Sequence, residues 1–253
     1  MHDQPGRLGG CPLRRLSGAR ALAPRLLALA LVLFPAAAPA ATRSYIVTDF
    51  DSLRVEAPID VMVQAGRGVT ARGDGDRDVL ERVDLTVSAR VLTIRLKPSP
   101  YEGRRGGAGT ARLSLTVPAL RRIQLTGAGS LQASGLAGSR AEIIAAGDGA
   151  LSVTRVDSDV LSVTQLGSGS VALAGKVKGL TLRVSGAGAL DAAALAAADL
   201  DLRLDGPASV TAQADRAARI VAVGPGSVTV AGKGACTVNH VGSGTVTCGG
   251  ASY

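Results

Sequence analysis

Seven glycine-centred corners recur along the second half of this chain, and their spacing limits what it can fold into. They are Gly127-Ala-Gly129, Gly147-Asp-Gly149, Gly167-Ser-Gly169, Gly186-Ala-Gly188, Gly206-Pro-Ala208, Gly224-Pro-Gly226 and Gly242-Ser-Gly244. Successive first glycines lie 20, 20, 19, 20, 18 and 18 residues apart. Self-similarity at a nearly fixed period of this size is the mark of a repeat architecture, in which each copy is one supersecondary unit.

After each corner the apolar residues fall on alternate positions: Leu131 and Ala133, Leu151 and Val153, Val171 and Leu173, through to Val246 and Cys248. Before each corner a matching set falls two and four residues back, as in Leu125 and Ile123 or Leu204 and Leu202. A period of two means a strand with one buried face. Each repeat therefore reads as strand, corner, strand. One such unit cannot bury its apolar face alone, whereas stacked copies share a continuous core and pair their backbones at about 4.8 Å per layer. The expected fold is all-β, a β-helix or β-solenoid of about seven coils of roughly 20 residues. The alanine-rich stretch Leu190 to Leu200 also suits a helix on propensity. Its place in the array argues for a strand.

The first forty residues read as a secretory signal peptide. A basic region with Arg14, Arg15, Arg20 and Arg25 precedes an apolar run from Leu26 to Phe34 and the small residues Ala38-Pro39-Ala40, with cleavage expected after Ala40. That run is too short to cross a bilayer, which needs about 20 residues, so no membrane span is expected after cleavage. Cys11 precedes the apolar run, so Arg7-Leu8-Gly9-Gly10-Cys11 is no lipidation signal. Five Arg and one Asp leave with this segment, which takes the formal charge from +8 to +4. A nucleic-acid partner, which calls for a concentrated basic face interleaved with aromatics, is not expected. Only Tyr45, Phe50, Tyr101 and Tyr253 are aromatic beyond residue 40. The core must be filled by Val, Leu, Ile and Ala, which suits thin layers.

Ahead of the repeats the pattern is less regular. Alternating runs at Ser52 to Val63 and Leu85 to Leu96 flank a turn-rich segment from Gly66 to Asp78, with Asp78-Val-Leu-Glu-Arg82 as a single helical turn. Residues 41–110 are expected to form an N-terminal β cap of the same domain, ending in a Pro/Gly/Arg-rich loop from Pro98 to Gly109 that contains Arg104-Arg105. Solenoids need such a cap to shield their first open edge. Residues 111–253 then form the repeat solenoid.

The opening Phe50-x-x-Leu53-x-Val55, Ile59-x-Val61-x-Val63 and Leu92-x-Ile94, followed by serial Gly-Ala-Gly-Ser, Gly-Ser-Gly-Ser and Gly-Ser-Gly-Thr corners, resemble the head GIN domain family, described as putative auto-transporter adhesins. The likeness spans about residues 44–250. It implies a right-handed β-helix in the bacterial envelope and supplies no catalytic residue. The repeats run out at Cys248-Gly-Gly-Ala-Ser-Tyr253, so no translocator barrel of alternating segments is expected here.

No catalytic, cofactor-binding or metal-binding set is legible. No Lys-Ser/Thr follows the glycines as in a phosphate loop, and the isolated Asp148 and Asp205 do not make calcium-binding nonapeptides. His240 is the one histidine beyond the leader; it and Gln165 occupy a slot where other coils place Leu, Val or Ala. Such a polar side chain is expected to satisfy backbone groups at a corner. Cys236 and Cys248 both fall on the inward phase around the last corner and are expected to form a structural disulfide across the final coil in an oxidising compartment. Outward positions carry small hydroxylated residues, most regularly Ser209 with Thr211, Ser227 with Thr229 and Thr245 with Thr247, a candidate binding strip. Arg183 and Arg203 share one outward slot, with Arg122 and Arg219 nearby, and read as a solvated face. The functional expectation is an exported, non-enzymatic, adhesin-like binding or scaffold module. Its partner would be a protein or glycan of the periplasm or cell surface. The alternative is a carbohydrate-active β-helix enzyme, which would need two carboxylates about 5 to 9.5 Å apart on one face.

Overall fold

The computed structural model describes residues 41–98 and 110–253. The expected leader with Cys11, and the loop around Arg104-Arg105 from residue 99 to 109, lie outside the described residues.

Chain order begins with β1 (Ala41–Tyr45), β2 (Ser52–Val55), β3 (Asp60–Ala65), β4 (Thr70–Gly75), α1 (Arg77–Arg82), β5 (Val83–Ser88), β6 (Val91–Leu96) and β7 (Ala111–Val117). The repeats follow as β8 (Arg122–Thr126), β9 (Ser130–Ala133), β10 (Leu136–Ala146), β11 (Ala150–Leu166), β12 (Ser170–Ser185), β13 (Ala189–Asp205) and β14 (Ser209–Val223). The last coils are β15 (Ser227–Ala231), β16 (Ala235–Val241), β17 (Thr245–Cys248) and β18 (Ala251–Ser252).

Equivalent residues of successive repeats stack in parallel register. Ahead of the corner one inward column runs Ile123, Ile143, Val163, Leu182, Leu202, Ile220 and Val238. Behind it another runs Leu131, Leu151, Val171, Leu190, Val210, Val228 and Val246. All of these but Val238 are buried. The alternation read from the sequence is thus the alternation of the core. Seven corners bound six complete turns, so the expected seven coils become about six turns of solenoid. Leu190 to Leu200 lies within β13 as strand.

The corner glycines follow from this stacking. Gly167 has a φ of +112°, and a Cβ there would sit 2.6 Å from the Gly147 carbonyl of the coil beneath. Positive φ and close backbone approach both call for glycine. The departure at Ala208 falls on the second corner position, where the methyl is buried, while Gly206 keeps its positive φ.

Two features were not legible in advance. The long strands β11 to β14 bend around a third side, where residues 156–160 of β11 pair with the start of β10 and the middle of β12. This side tapers: β14 rounds it with register shifts against β13, and in the last repeat the turn Gly232-Lys233-Gly234 replaces it between β15 and β16. The second feature is the order of the first coils. β2 lies between β6 and β8, and β3 lies between β7 and β9. The coil made from β6 and β7 therefore stacks outside the one made from β2 and β3, and the chain passes over the β2–β3 coil to begin the repeats at β8. One hydrogen-bonded stack joins β6 and β7, β2 and β3, and the first repeat strands β8 and β9.

Antiparallel strands close this end: β5 on β6, β4 on β7 and β1 on β4. β4 occupies a segment expected to be turns. Its sequence, Thr-Ala-Arg-Gly-Asp-Gly, carries little apolar signal because Gly73 faces Leu80 and Tyr45 at close range. Helix α1 covers the coil end with Val79 and Leu80; the Asp76 carboxylate caps it by accepting from the Asp78 amide at 2.9 Å. Tyr45 Oη donates to the Leu80 carbonyl at 2.8 Å and ties β1 to the helix.

The other end is closed covalently. Cys236 at the start of β16 and Cys248 at the end of β17 form a disulfide. It joins the two points that the Gly232–Gly234 turn joins in the preceding coil, and so turns the last coil into a ring. β18 folds back antiparallel on β17.

Candidate binding surface

The face behind the corners carries the Ser/Thr strip. Ser209, Ser227 and Thr245 are in register, as are Thr211, Thr229 and Thr247, so the six residues form a ladder two wide and three deep. Ser227 Oγ donates to Ser209 Oγ at 3.2 Å. Toward the N-terminal end the first column continues through Ala189, Ser170, Ala150 and Ser130, and the second is interrupted by Asp191, Ala172 and Gln132. No side chain in the ladder is larger than Thr. The surface is flat, and its hydroxyls are held at the strand spacing of about 4.8 Å.

The concave features lie elsewhere. An open groove of about 420 Å³ follows the edge between the third side and the sheet ahead of the corners, and is lined in part by Thr181, Asp199, Asp201, Arg219 and Thr237. Asp199 and Asp201 are the acids a hydrolytic site would have to use here. Asp199 accepts from Arg216 Nε at 2.7 Å, and a second nitrogen of that guanidinium contacts the other carboxylate oxygen. This hydrogen bond holds the Asp199 carboxyl below its ordinary range. Asp201 stands in register between Thr181 and Arg219. A general acid needs a carboxyl pushed upward by burial, the opposite of what Arg216 does to Asp199. A second groove, about 580 Å³, is lined by Asp157, Asp159, Lys176 and Lys178, with Lys178 Nζ 2.7 Å from Asp159. Among the described residues no three or more His, Cys, Asp or Glu side chains converge to hold a metal ion.

The arginines do not converge either. Arg183 and Arg203 are register partners, but Arg203 pairs with Asp205 at 3.1 Å. Arg122 pairs with Glu142 at 2.7 Å, and Arg219 lies opposite Asp201. Arg122 and Arg219 belong to one column, where Glu142 and Asp201 stand beside them, and Arg203 beside Arg183 carries Asp205, so the surface is mixed in charge.

Gln165 turns its amide into the next corner. Nε2 donates to the Gly169 carbonyl at 2.6 Å and the Ala189 carbonyl at 3.3 Å, in space that Gly188 leaves by having no side chain. His240 stands in the corresponding slot of the last strand, half-buried, with its Nε2 enclosed and without a hydrogen-bond partner.

These features define a class: a capped parallel β-solenoid whose outer faces are flat or shallow. Residues 49–234 match the family described as "Putative auto-transporter adhesin, head GIN domain", and the chain belongs to that family. No curated protein matches it in sequence. Among solved structures it resembles a putative adhesin from Bacteroides fragilis, at 20% identity over 83% of this chain and 97% of that one, with a TM-score of 0.75. A putative lipid binding protein from Parabacteroides distasonis is 17% identical over 83% and 96% of the two chains, with a TM-score of 0.63. A putative adhesin from Parabacteroides merdae is 18% identical over 83% and 95%, with a TM-score of 0.60. At such identities the likeness is one of fold. No helix among the described residues is long and apolar enough to cross a membrane.

Proposed function

We propose that the protein is an exported, non-enzymatic binding module of the bacterial envelope that presents its Ser/Thr face to a protein or glycan of that compartment. The observation that carries this reading is the in-register ladder of Ser209, Ser227, Thr245, Thr211, Thr229 and Thr247. A row of hydroxyls held on a stacked sheet loses little freedom on binding, so modest contacts can accumulate over an extended flat partner. Membership of an adhesin-like family supports the reading, and the Cys236–Cys248 disulfide supports an oxidising location outside the cytoplasm, at the periplasm or the cell surface. The apolar run and small residues of the first forty positions support export by a cleaved leader.

The test is retention of envelope protein or glycan by the immobilised protein, compared with the triple variant Thr211→Lys, Thr229→Lys and Thr247→Lys. These side chains point outward, so the variant is expected to keep its circular dichroism. The expected result is a defined species retained by the parent and lost from the variant. Equal retention by both, or none by either, overturns the assignment.

A further inference from the structure

A strand at the edge of a sheet presents unpaired amides and carbonyls, and proteins blunt such edges with charge, proline, bulges or short length. Two edges at the N-terminal end are blunted by charge: β1 carries Arg43 and β5 carries Asp84. β18 is two residues long. β16 has none of these devices. Its seven residues, Ala-Cys-Thr-Val-Asn-His-Val, contain no charge and no proline, and among the described residues it pairs with β14 alone.

The direction of its free groups follows from one hydrogen bond. The Val241 carbonyl accepts from the Gly224 amide at 2.9 Å, so Val241 turns its polar backbone toward the preceding coil. By alternation Asn239 and Thr237 do the same, and Cys236, Val238 and His240 turn theirs to the open side. Those three also carry the inward side chains. All three are half-buried, whereas their register partners Ala218, Ile220 and Ala222 are buried. Beside them on the outer face, Val223 is 40% and Val241 61% exposed. An apolar seam, an unpartnered His240 Nε2 and an open row of backbone groups therefore coincide on one strand, which the disulfide ties to β17.

We infer that β16 is a self-association edge, through which two copies of this chain join end to end with their β16 strands antiparallel. The strand is self-complementary about Val238. A two-fold axis there sets Val238 against its own copy, Cys236 against His240, Thr237 against Asn239 and Ala235 against Val241. The residues with free backbone groups fall opposite one another in the hydrogen-bonded positions of an antiparallel ladder. No like charges meet, the contact is isologous, and the two cores become continuous. One strand pair with the ends of two slender cores falls below the ~1,200 Å² of a standard stable interface, so the dimer is weak and concentration-dependent.

Sedimentation velocity of the intact purified protein, in a series reaching about 1 mM, reads this directly. The parent is expected to move from monomer to dimer. The variant Thr237→Lys with Asn239→Lys places Lys against Lys in both outward pairs and is expected to stay monomeric. So is Thr237→Glu with Asn239→Glu, and a mixture of the two variants is expected to dimerise again. In the parent, amide exchange at Cys236, Val238 and His240 should slow as concentration rises, a reading that needs no variant. A parent that stays monomeric, a Lys variant that dimerises as well as the parent, or a Lys and Glu mixture that stays monomeric each overturns the assignment.

Discussion

The two ends of this solenoid are closed in different ways. At the N-terminal end a helix and three antiparallel strands cover the stack, and the outermost parallel coil is built from chain that comes later than the coil beneath it. At the C-terminal end one disulfide completes the last coil, two residues of β18 cover one strand row, and β16 is left open on the other. The N-terminal end is held by many weak contacts spread over some fifty residues of sequence. The C-terminal end depends on a single covalent link, because the last coil has no third side to hold β16 and β17 together. An end that needs shielding by chain carries a long cap, and an end closed covalently can remain a bare edge.

The largest expected difference between the ends lies at their corners. Gly242 has a φ of +136°, and a Cβ there would run into the Gly224 carbonyl; at Gly127, with a φ of +100°, a Cβ would meet nothing within 4 Å. The reason is the layer beneath: Gly127 stacks on the Ala57 to Ile59 turn, which is not a glycine corner. Gly242→Ala should remove the last coil from the folded structure, read as loss of amide protection over residues 235–253. Gly127→Ala should cost only the backbone strain of about 1–3 kcal/mol. Equal losses would mean that the corners tolerate side chains by a common relaxation and that stacking is not what selects glycine.

Next comes the covalent closure. Cys248→Ser should destabilise the last coil by roughly 3 kcal/mol, the chain-entropy value for a loop of this size. Amide exchange should rise in β16 and β17 while α1 and β4 keep their protection. Loosening of both ends together would show that the stack unfolds as one unit and that the ends are not separable.

The smallest expected effect is a response to acid confined to one end. Arg95 donates to Glu56 at 2.7 Å, which holds the Glu56 carboxyl below its ordinary range. Because the folded value lies below the unfolded one of about 4.3, this stabilisation is complete above that pH and is lost as pH falls through the folded value. No Asp or Glu follows Asp215, so the side chains of the last coils form no carboxylate ion pair of this kind. Exchange around β2 and β6 should therefore quicken as pH falls through the folded value of Glu56. Unchanged exchange at β2 and β6 across that range would contradict this account.

Much of the solenoid was legible beforehand because its determinants are local and periodic. The inward phase of Leu131, Leu202 and Val246, the glycine corners and the Cys236–Cys248 link all follow from residue type and spacing. β4 was not legible, since a strand whose inward positions are Ala71 and Gly73 looks like a turn. Of the candidate surface, the Ser/Thr rows could be written down in advance, but their register could not be checked. The ion pair that holds the Asp199 carboxyl below its ordinary range depends on Arg216, seventeen residues away on the next strand. The neutral character of residues 235–241 was visible throughout; that they form an uncovered edge was not.

Sequence alone determined which side chains of each repeat face the core and where the chain must turn, because a period of two and a positive φ are properties of one strand and one corner. Tertiary structure decided which coil lies beside which, where the third side ends and which strand is left without a neighbour. Those depend on hydrogen bonds between segments far apart in the chain, and a parallel strand will pair in register with either of two similar neighbours until the whole stack is closed.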